Sequence, residues 1–144
     1  MKHKTIIDNE KEEVLIYTPK VTNKITMLER YIEDLDSEII AFRNKTSICL
    51  SYNDVICFTI ENGRSFAITE KEKLLIKRRL FQIEEMVSEN FVKINQSSIA
   101  NITKIERFDA SIGGNLMVIF KNGYKDYVSR RQTKLVKERI GFKK

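Results

Sequence analysis

The chain has few of the residues from which reaction centres are built. Only one of its 144 residues is a histidine, His3, and it lies next to the N-terminus. This excludes a buried histidine base, a nucleophile–histidine pair and a histidine-rich metal site. The two cysteines cannot complete a structural zinc site without further ligands. We therefore expect no resident metal and no cofactor.

Two sequence patterns of enzymes are also missing. Gly113-Gly114 has neither the spacing nor the Lys-Ser/Thr pair that a glycine-rich phosphate loop requires. The strand-borne Glu-x-Lys pattern of nucleases is missing because no Asp or Glu stands two residues before a Lys. The paired carboxylates Glu84-Glu85 fall in a helical pattern and are typical of a solvated helix face. An enzyme with a small-molecule substrate is therefore the least favoured class of protein.

Long apolar runs are missing as well. The uncharged apolar stretches are far too short for a membrane-spanning helix. The first four residues are basic, but the residues that follow become acidic and contain no signal-peptide core. We therefore predict a cytoplasmic protein. Cys49 and Cys57 lie in strand-like apolar segments, which predicts two buried free thiols in preference to a disulfide.

Charge is distributed unevenly along the chain. Residues 1–48 contain 8 Lys/Arg and 9 Asp/Glu, a net charge of −1, whereas residues 49–144 contain 18 and 11, a net charge of +7. A basic excess suits a polyanion such as nucleic acid, although it also suits a surface that is simply soluble. The length fits one domain with a real core. We expect an N-terminal segment (residues 1–48) followed by a basic domain (residues 49–144).

The N-terminal segment is predicted to contain one strand and one helix. Glu13–Thr18 is strand-like and is stopped by Pro19, the only proline. Thr22 is a candidate N-cap for an amphipathic helix over residues 23–36. This helix could pack on the β domain or pair with a second copy, and the segment is also a candidate site for an inhibitory partner. The apolar stripe of the helix consists of Ile25, Leu28, Ile32 and Leu35.

The basic domain is predicted to be mostly antiparallel β. Asn62-Gly63 and Asn122-Gly123 indicate hairpins, because both central positions of a type I′ turn take positive φ angles. Residues 95–98 interrupt a strand-like run and are predicted to form one helical turn. Ser129 is predicted to cap a final helix that stops at Gly141. Strands are predicted at Glu38–Phe42, Ser47–Ser51, Val55–Ile60, Arg64–Thr69, Leu74–Ile76, Phe91–Ile94, Thr103–Phe108, Asn115–Phe120 and Tyr124–Val128, with a turn at Gly113-Gly114.

A helix is predicted near Arg78–Val87, with Leu80, Ile83 and Val87 directed inward. The turn before it has an alternative interpretation. Thr69 and Glu72 could cap a longer helix that begins near Glu70.

Two polar segments follow strand-like runs where the chain turns. One is Asn95-Gln96-Ser97-Ser98, and the other is Ser129-Arg130-Arg131. If both face the same way, they form one DNA-reading surface. They are the part of the chain most typical of a functional site.

From Ser51 to Phe142, roughly two-thirds of the chain, the order and spacing of several motifs resemble a LytTR-type DNA-binding domain. The matching motifs are Asp54-Val55-Ile56, Glu61-Asn62-Gly63, Leu80-Phe81, Phe91-Val92-Lys93-Ile94 with Ser97 and Asn101, Ile105-Glu106, Lys121-Asn122-Gly123, Val128-Ser129-Arg130-Arg131 and Ile140-Gly141.

The resemblance implies an elongated, mostly β fold of stacked antiparallel sheets with short helices, α+β overall. It implies a bacterial transcriptional regulator that binds double-stranded DNA by placing loops and strand ends in successive major grooves. The chain is similar to small members that have no receiver domain, in which a strand–helix segment precedes the DNA-binding domain. Such members are often encoded beside a small membrane protein that restrains them. A homodimer is expected, because paired half-sites raise affinity through effective concentration.

The chain departs from the family pattern at the first polar segment. Members often have His-Arg/Lys-Ser-Tyr/Phe where this chain has Asn95-Gln96-Ser97-Ser98, and Ala100 replaces a common Val. A protein-interaction or anti-regulator module that has lost specific DNA binding is therefore the alternative function. An RNA-binding role is less favoured, because the strand at 116–120 lacks the exposed aromatic pair of an RNA-recognition sheet.

Asn95 and Gln96 are the candidate base readers, because an amide both donates and accepts hydrogen bonds, as adenine requires in the major groove. Capping of a turn is the other interpretation. With the resemblance, base contact is favoured for Gln96, whereas the two interpretations are balanced for Asn95. Ser97 belongs to the same DNA-facing set. Asn101 is expected to satisfy local backbone groups.

Arg130 and Arg131 suit guanine or phosphate, because a guanidinium fork donates two parallel hydrogen bonds. We expect Arg131 to point outward, and Arg130 to pair with an acidic neighbour or to cover apolar surface. The candidates for sequence-independent phosphate contacts are Lys93, Arg64, Lys134 and Lys137.

Overall fold

The computed structural model describes residues 1–35, 37–110 and 114–140. Within these residues the chain forms three helices and ten strands. The helices are α1 (Asn23–Asp34), α2 (Leu80–Met86) and α3 (Arg130–Arg139). The strands are β1 (Glu38–Arg43), β2 (Thr46–Ser51), β3 (Val55–Glu61), β4 (Arg64–Thr69), β5 (Lys73–Ile76), β6 (Phe91–Asn95), β7 (Ser98–Asn101), β8 (Ile105–Ala110), β9 (Leu116–Phe120) and β10 (Lys125–Val128).

The strands form two antiparallel sheets. Seven of them lie in the order β2-β1-β5-β4-β3-β7-β6, and the other three in the order β10-β9-β8. The β3–β4 hairpin turns through Asn62 and Gly63, at φ angles of 53° and 76°, as the Asn-Gly signal predicts. The prediction of a mostly antiparallel β protein with short helices is confirmed.

Two hydrophobic clusters hold the layers together. On one face of the large sheet, α2 packs against a cluster that contains the rings of Tyr52, Phe58 and Phe91. The second cluster joins the strands β3, β7 and β6 to the small sheet and to α3, through residues such as Phe120 and Val136. The β10–α3 junction is therefore packed against the β6–β7 half of the large sheet.

Helix α1 packs on the β domain. Thr22 Oγ accepts a hydrogen bond from the N–H of Ile25 (3.4 Å), which confirms the predicted N-cap. The side chains of Asn53 and Asn90 donate to carbonyl oxygens of the helix, and Ser88 Oγ donates to Asp34 Oδ2 (2.7 Å). Of the two predicted arrangements of this helix, the structure shows packing on the β domain.

The predicted strand Glu13–Thr18 is not formed, and this prediction was wrong. The segment has no ladder partner in the described residues, and Val14, Leu15 and Tyr17 are 60%, 64% and 92% exposed. A β-favouring segment becomes a strand only where it finds an edge to pair with. The prediction of two buried thiols was half wrong, because Cys57 is buried but Cys49 is exposed.

The predicted helical turn at residues 95–98 was also wrong. Gln96 and Ser97 form the turn of a hairpin between β6 and β7. The alternative helix that begins near Glu70 is not formed either, because the N–H of Glu72 donates to Thr69 Oγ1 (3.2 Å) and closes a turn before β5. The expected turn residue Gly113 and the expected helix stop Gly141 lie outside the described residues.

Residue 48, where the charge distribution changes, falls inside β2. All six residues of β2 pair with β1, and β1 pairs in turn with β5. The N-terminal 48 residues therefore contribute directly to the large sheet. None of the described helices combines the length and apolarity needed to cross a membrane.

Candidate nucleic-acid interface

Three segments meet at one end of the large sheet. They are the tip of the β3–β4 hairpin (residues 62–64), the β6–β7 turn (residues 96–97) and the β10–α3 junction (residues 129–131). The N–H of Ile60, close to the first tip, donates to the carbonyl of Ser97 (2.8 Å). The N–H of Ser129 donates to the carbonyl of Ile94 (2.8 Å). The structure thus brings the two predicted polar segments together, and we call these three segments the turn surface.

Asn95 does not present its amide to solvent. The residue is 2% exposed, and its Nδ2 donates to the carbonyl of Tyr127 (2.8 Å) and to Asp126 Oδ1 (3.1 Å). Its Oδ1 accepts a hydrogen bond from the N–H of Ser97 (2.8 Å). Of the two interpretations of Asn95, base contact is wrong for this geometry. The amide caps the turn and attaches it to β10.

Gln96 and Ser97 form the exposed tip of this turn. Both neighbours of the pair are buried and hydrogen-bonded, Asn95 on one side and Ser98 on the other. The turn therefore presents one exposed amide side chain and one exposed hydroxyl. Buried, hydrogen-bonded residues hold it in place at both ends. A side chain in this position can reach a base edge without refolding of the turn.

A buried polar network beneath the turn was missed in the sequence. Ser98 Oγ donates to Asp126 Oδ2 (2.6 Å) and lies 3.1 Å from Thr59 Oγ1. Asp126 thereby connects β10 to both β6 and β7, and through Ser98 to β3. One signal was available, because Asp126 lies between Tyr124 and Val128 on the inward side of a strand that alternates inward and outward. An acidic residue at such a position requires buried donors.

Burial, with a smaller contribution from this network, raises the pKa values of two neighbouring groups. Burial, followed by the negative charge of Asp126, raises the pKa of the Cys57 thiol well above its ordinary value. Burial is also the main cause that raises the pKa of Tyr124, with smaller contributions from Cys57 and Asp126. Both groups are therefore held neutral near pH 7. Neither is activated as a nucleophile or as a base.

The two arginines of the junction have different surroundings. The guanidinium of Arg130 lies against Gly114, where an added Cβ would be 2.9 Å from Arg130 Nη2. Arg131 is exposed on α3, and Lys134 is exposed one turn beyond Arg130. Ser129 occupies the N-cap position as predicted, but its hydroxyl makes no hydrogen bond to the first turn of the helix. Arg131 is thus placed for a contact with a molecule outside the domain. The guanidinium of Arg130 instead lies against Gly114 of its own chain.

The remaining basic candidates are spread over a wider area. Arg64 is exposed at the start of β4, paired in register with Glu61, and is the last residue of the hairpin tip. Lys93 is half-buried on β6 and lines a shallow groove with Leu135 and Arg139. Lys137 is exposed farther along α3. The structure therefore places Arg64 on the turn surface, and places Lys93 on the side of the domain.

Asn101 satisfies local backbone groups, which confirms that prediction. Its Nδ2 donates to the carbonyl of Val55 (2.8 Å), and its Oδ1 accepts from the N–H of Thr103 (3.0 Å) and from Thr103 Oγ1 (2.7 Å). It lies at the end of β7 away from the turn surface. In the part of the chain that the structure describes, no group of three His, Cys, Asp or Glu side chains is arranged to hold a metal.

Comparison with known proteins gives a consistent result. The family model described as "LytTr DNA-binding domain" matches residues 45–141. An uncharacterised HTH-type transcriptional regulator of Staphylococcus aureus strain NCTC 8325 is 30% identical over 137 residues, 93% of each chain. Another, of S. aureus strain MSSA476, is 29% identical over 129 residues, 88% of each chain.

The solved structures include one with a similar fold. It is the LytTr DNA-binding domain of a Bacillus cereus protein described as a methyl-accepting/DNA response regulator. The TM-score is 0.69 at 17% sequence identity, and the match covers 74% of this chain and 99% of that one. Both chains therefore share the mostly β fold. The described part of this chain contains no helix–turn–helix unit, because five strands separate α1 from α2 and five more separate α2 from α3.

Proposed function

Because the chain belongs to the LytTr DNA-binding domain family, we propose that it is a bacterial transcriptional regulator that binds specific sequences of double-stranded DNA. The observation that carries this proposal is the turn surface. It combines an exposed amide at Gln96 with an exposed guanidinium at Arg131, and buried hydrogen bonds hold both segments in place. An amide suits adenine and a guanidinium suits guanine in the major groove.

The proposed mode of binding uses turns and strand ends instead of a recognition helix. A major groove is about 12 Å wide and admits a two-stranded ribbon, so the β6–β7 hairpin can enter it turn first. Gln96 and Ser97 then meet base edges, and the start of α3 brings Arg131 to the same or the following groove. The β3–β4 tip with Arg64 lies alongside and meets the backbone. Elements on one rigid end of the domain can thereby occupy successive major grooves.

Sequence-independent affinity is assigned to the outer basic residues. Arg64, Lys134 and Lys93 are proposed to contact phosphates, and Arg130 either contacts a phosphate or positions the junction. Such contacts release counterions and weaken as salt rises. The net charge of +7 on residues 49–144, from 18 basic and 11 acidic residues, supports this role.

Two further properties are part of the proposal. We propose that the protein acts as a homodimer in the cytoplasm, because two half-site contacts multiply affinity. We also propose that an inhibitory membrane protein would act on the N-terminal segment (residues 1–48), whose first 12 residues are all exposed. The protein acts by binding and not by catalysis, and it requires no cofactor.

A gel-shift series on the promoter of the protein's own gene tests the function. We expect binding to this promoter at moderate salt to be at least tenfold tighter than to random DNA of equal length. Affinity for both should fall as salt is raised, because phosphate contacts are shared. Equal affinity for both DNAs, with genomic fragments also giving no preferred site, would favour the protein-interaction or anti-regulator module instead.

A matched pair of variants identifies the surface. Gln96→Ala removes one exposed amide from the turn, and Asn9→Ala removes one from the N-terminal segment, which lies outside the turn surface. We expect Gln96→Ala to lower the preference for the promoter and Asn9→Ala to leave it unchanged. The site assignment fails if the two variants bind alike.

A further inference from the structure

The chain contains an apolar segment without a partner. Glu13–Thr18 has no ladder partner in the described residues, and its apolar side chains Val14, Leu15 and Tyr17 are more than half exposed. In an extended chain Val14 and Ile16 point to one side, while Leu15 and Tyr17 point to the other. A segment that is apolar on both sides is typical of a strand covered on both faces.

The same chain contains an open sheet edge. Strand β2 is the last strand of the large sheet, and its pairing is with β1 alone among the described residues. A row of unpaired backbone donors and acceptors is a template for a further strand. Thr46, Ser47 and Cys49 are exposed on this strand. The outer edge of β2 is therefore available for pairing with another strand.

Apolar side chains lie on both faces beside this edge. On one face a groove of about 570 Å³ has Ile48, Leu50 and Leu74 among its lining residues. On the other face Cys49 and Ile40 are directly opposite each other in the β1–β2 register, and both are exposed. A strand added to β2 would thus have apolar surface to cover on each side.

Charge also matches the segment to the groove. Residues 10–13, Glu-Lys-Glu-Glu, immediately precede the apolar residues of the segment and have a net charge of −2, from three glutamates and one lysine. The groove is lined by three lysines, Lys71, Lys104 and Lys121, and by the carboxylates Asp54, Glu70 and Glu72. Glu72 is already paired with Arg43, so three lysines face two uncompensated carboxylates. The remaining positive charge favours an acidic segment over a basic one.

We propose that residues 13–18 of a second copy add to the open edge of β2 as an extra strand, and that the exchange is reciprocal. Val14 and Ile16 enter the groove, Leu15 and Tyr17 cover Cys49 and Ile40, and the acidic residues before them meet the lysines. Strand addition supplies affinity through backbone hydrogen bonds and specificity through alternate side chains. This inference rests on the homodimer proposed above and names its surface.

The occupant is a second copy because the segment does not cover the edge of its own chain. Helix α1 has 12 residues and is about 18 Å long. Its C-terminal end adjoins β2, through the bonds from Ser37 N–H to the Asp34 carbonyl and from Tyr52 N–H to the Ser37 carbonyl. The four steps from Thr18 to Thr22 span at most about 14 Å. The segment would have to return along α1 to reach its own β2, whereas a two-fold dimer satisfies both segments and both edges at once.

Disulfide trapping tests the contact in the full chain. Cys49 is the exposed native thiol. Cys57 is buried and serves as an internal control that should form no disulfide. We expect mild oxidation of Leu15→Cys or Tyr17→Cys to give a covalent dimer in more than about half of the chains, against less than about a tenth for Ile7→Cys, which lies outside the strand. A disulfide within one chain, equal trapping of Ile7→Cys, or a covalent dimer that persists when Cys49→Ser is added would each overturn the inference.

Light scattering separates this surface from dimerisation itself. We expect Val14→Asp to shift the molar mass from dimer to monomer without lowering the thermal midpoint of the single chain by more than a few degrees, because Val14 is 60% exposed in the single chain. A wild type that is monomeric at all concentrations would defeat the homodimer and this inference together. A dimer that survives Val14→Asp would defeat this surface alone. Neither result affects the gel-shift test of DNA binding.

Discussion

The side-chain amide of Asn95 donates a hydrogen bond to the carbonyl oxygen of Tyr127 over 2.8 Å. This bond joins the end of β6 to the last strand before α3. The exposed tip of the β6–β7 turn and the exposed Arg131 are therefore positioned by one buried side chain. In the proposed mode of DNA binding, the specificity of the turn surface would therefore depend on a buried residue that does not itself contact the DNA.

Asn95→Ala tests this coupling. The change leaves the carbonyl of Tyr127, the N–H of Ser97 and Asp126 Oδ1 without one partner each. We expect the free energy of unfolding to fall by about 1–3 kcal/mol, the usual cost of unsatisfied buried groups. Preference for the specific site should also fall, because the turn and the junction lose their common anchor. Urea unfolding and a gel shift on the same samples measure both effects.

Gln96→Ala is the control in the same turn. Its side chain is exposed, so the free energy of unfolding should stay within about 0.5 kcal/mol of wild type. If Asn95→Ala left both stability and site preference unchanged, the anchoring role would be wrong. If Gln96→Ala lowered the free energy of unfolding as much as Asn95→Ala, the assignment of Asn95 as the anchor and of Gln96 as a side chain without a structural role would be wrong.

Arg131→Ala and Lys137→Ala are expected to weaken DNA binding in different ways. Loss of a bidentate guanine contact costs about 1–3 kcal/mol at the specific site and little on random DNA. Loss of a phosphate contact lowers affinity evenly and reduces the salt slope by about 1. We therefore expect Arg131→Ala to lower the ratio of specific to random affinity, and Lys137→Ala to preserve that ratio. Salt titrations with both DNAs measure it.

Arg131→Lys separates charge from geometry at this position. A lysine keeps the positive charge but cannot present the planar fork of an arginine. We expect this variant to retain the salt slope of wild type and to lose most of the site preference. Full retention of the preference would mean that Arg131 contacts a phosphate and not a base.

The hairpins show what local sequence can predict in this chain. The Asn62-Gly63 pair predicts its own turn, because these two residue types favour positive φ angles, and both residues take them in the structure. Strand β7 could not be predicted in the same way. Its four residues, Ser-Ile-Ala-Asn, are polar at both ends, and all four are buried by partners distant in sequence. The register that buries Asn95 and exposes Gln96 is therefore a tertiary property.

The two wrong predictions near the N-terminus have one cause. Glu13–Thr18 has the residue types of a strand, and Cys49 lies in an apolar run. Neither segment contains information about which edges and faces of the sheet are covered. Cys49 lies on the same uncovered face as Ile40 of the inner strand β1, so it is exposed, and no described strand pairs with residues 13–18. Local pattern predicts the tendency to pair, and the topology decides whether a partner is present.

Thiol labelling should distinguish the two cysteines. Cys49 is exposed, whereas Cys57 is buried and its thiol pKa is raised by burial and by Asp126. Only the thiolate reacts. At pH 8, and at protein concentrations low enough to give monomers, we expect one thiol per folded chain to react with a disulfide reagent within minutes, and the second only after denaturation. The Cys49→Ser variant should show no rapid phase, and two rapid thiols in wild type would contradict the buried position of Cys57.

Asp34 should make stability depend on pH in the direction opposite to that of most carboxylates. Burial raises the pKa of this carboxyl above its ordinary value of 3.8, although the hydrogen bond from Ser88 lowers it. The folded state therefore binds the proton more tightly than the unfolded state. Its contribution to stability is fully present below the ordinary pKa and is lost as pH rises through the raised one. At neutral pH the charged group is a cost.

Asp34→Asn removes this titration and keeps an oxygen that can accept the hydrogen bond from Ser88. We expect the variant to be more stable than wild type at pH 7, and the difference to shrink as pH falls toward 3.8. Urea midpoints at several pH values measure it. Glu29→Gln, on the exposed side of α1, serves as the control, because it removes a charge of this helix that is not among the causes of the raised Asp34 pKa. A difference between Asp34→Asn and wild type that stayed constant over this pH range would show that Asp34 titrates alike in the folded and unfolded chains.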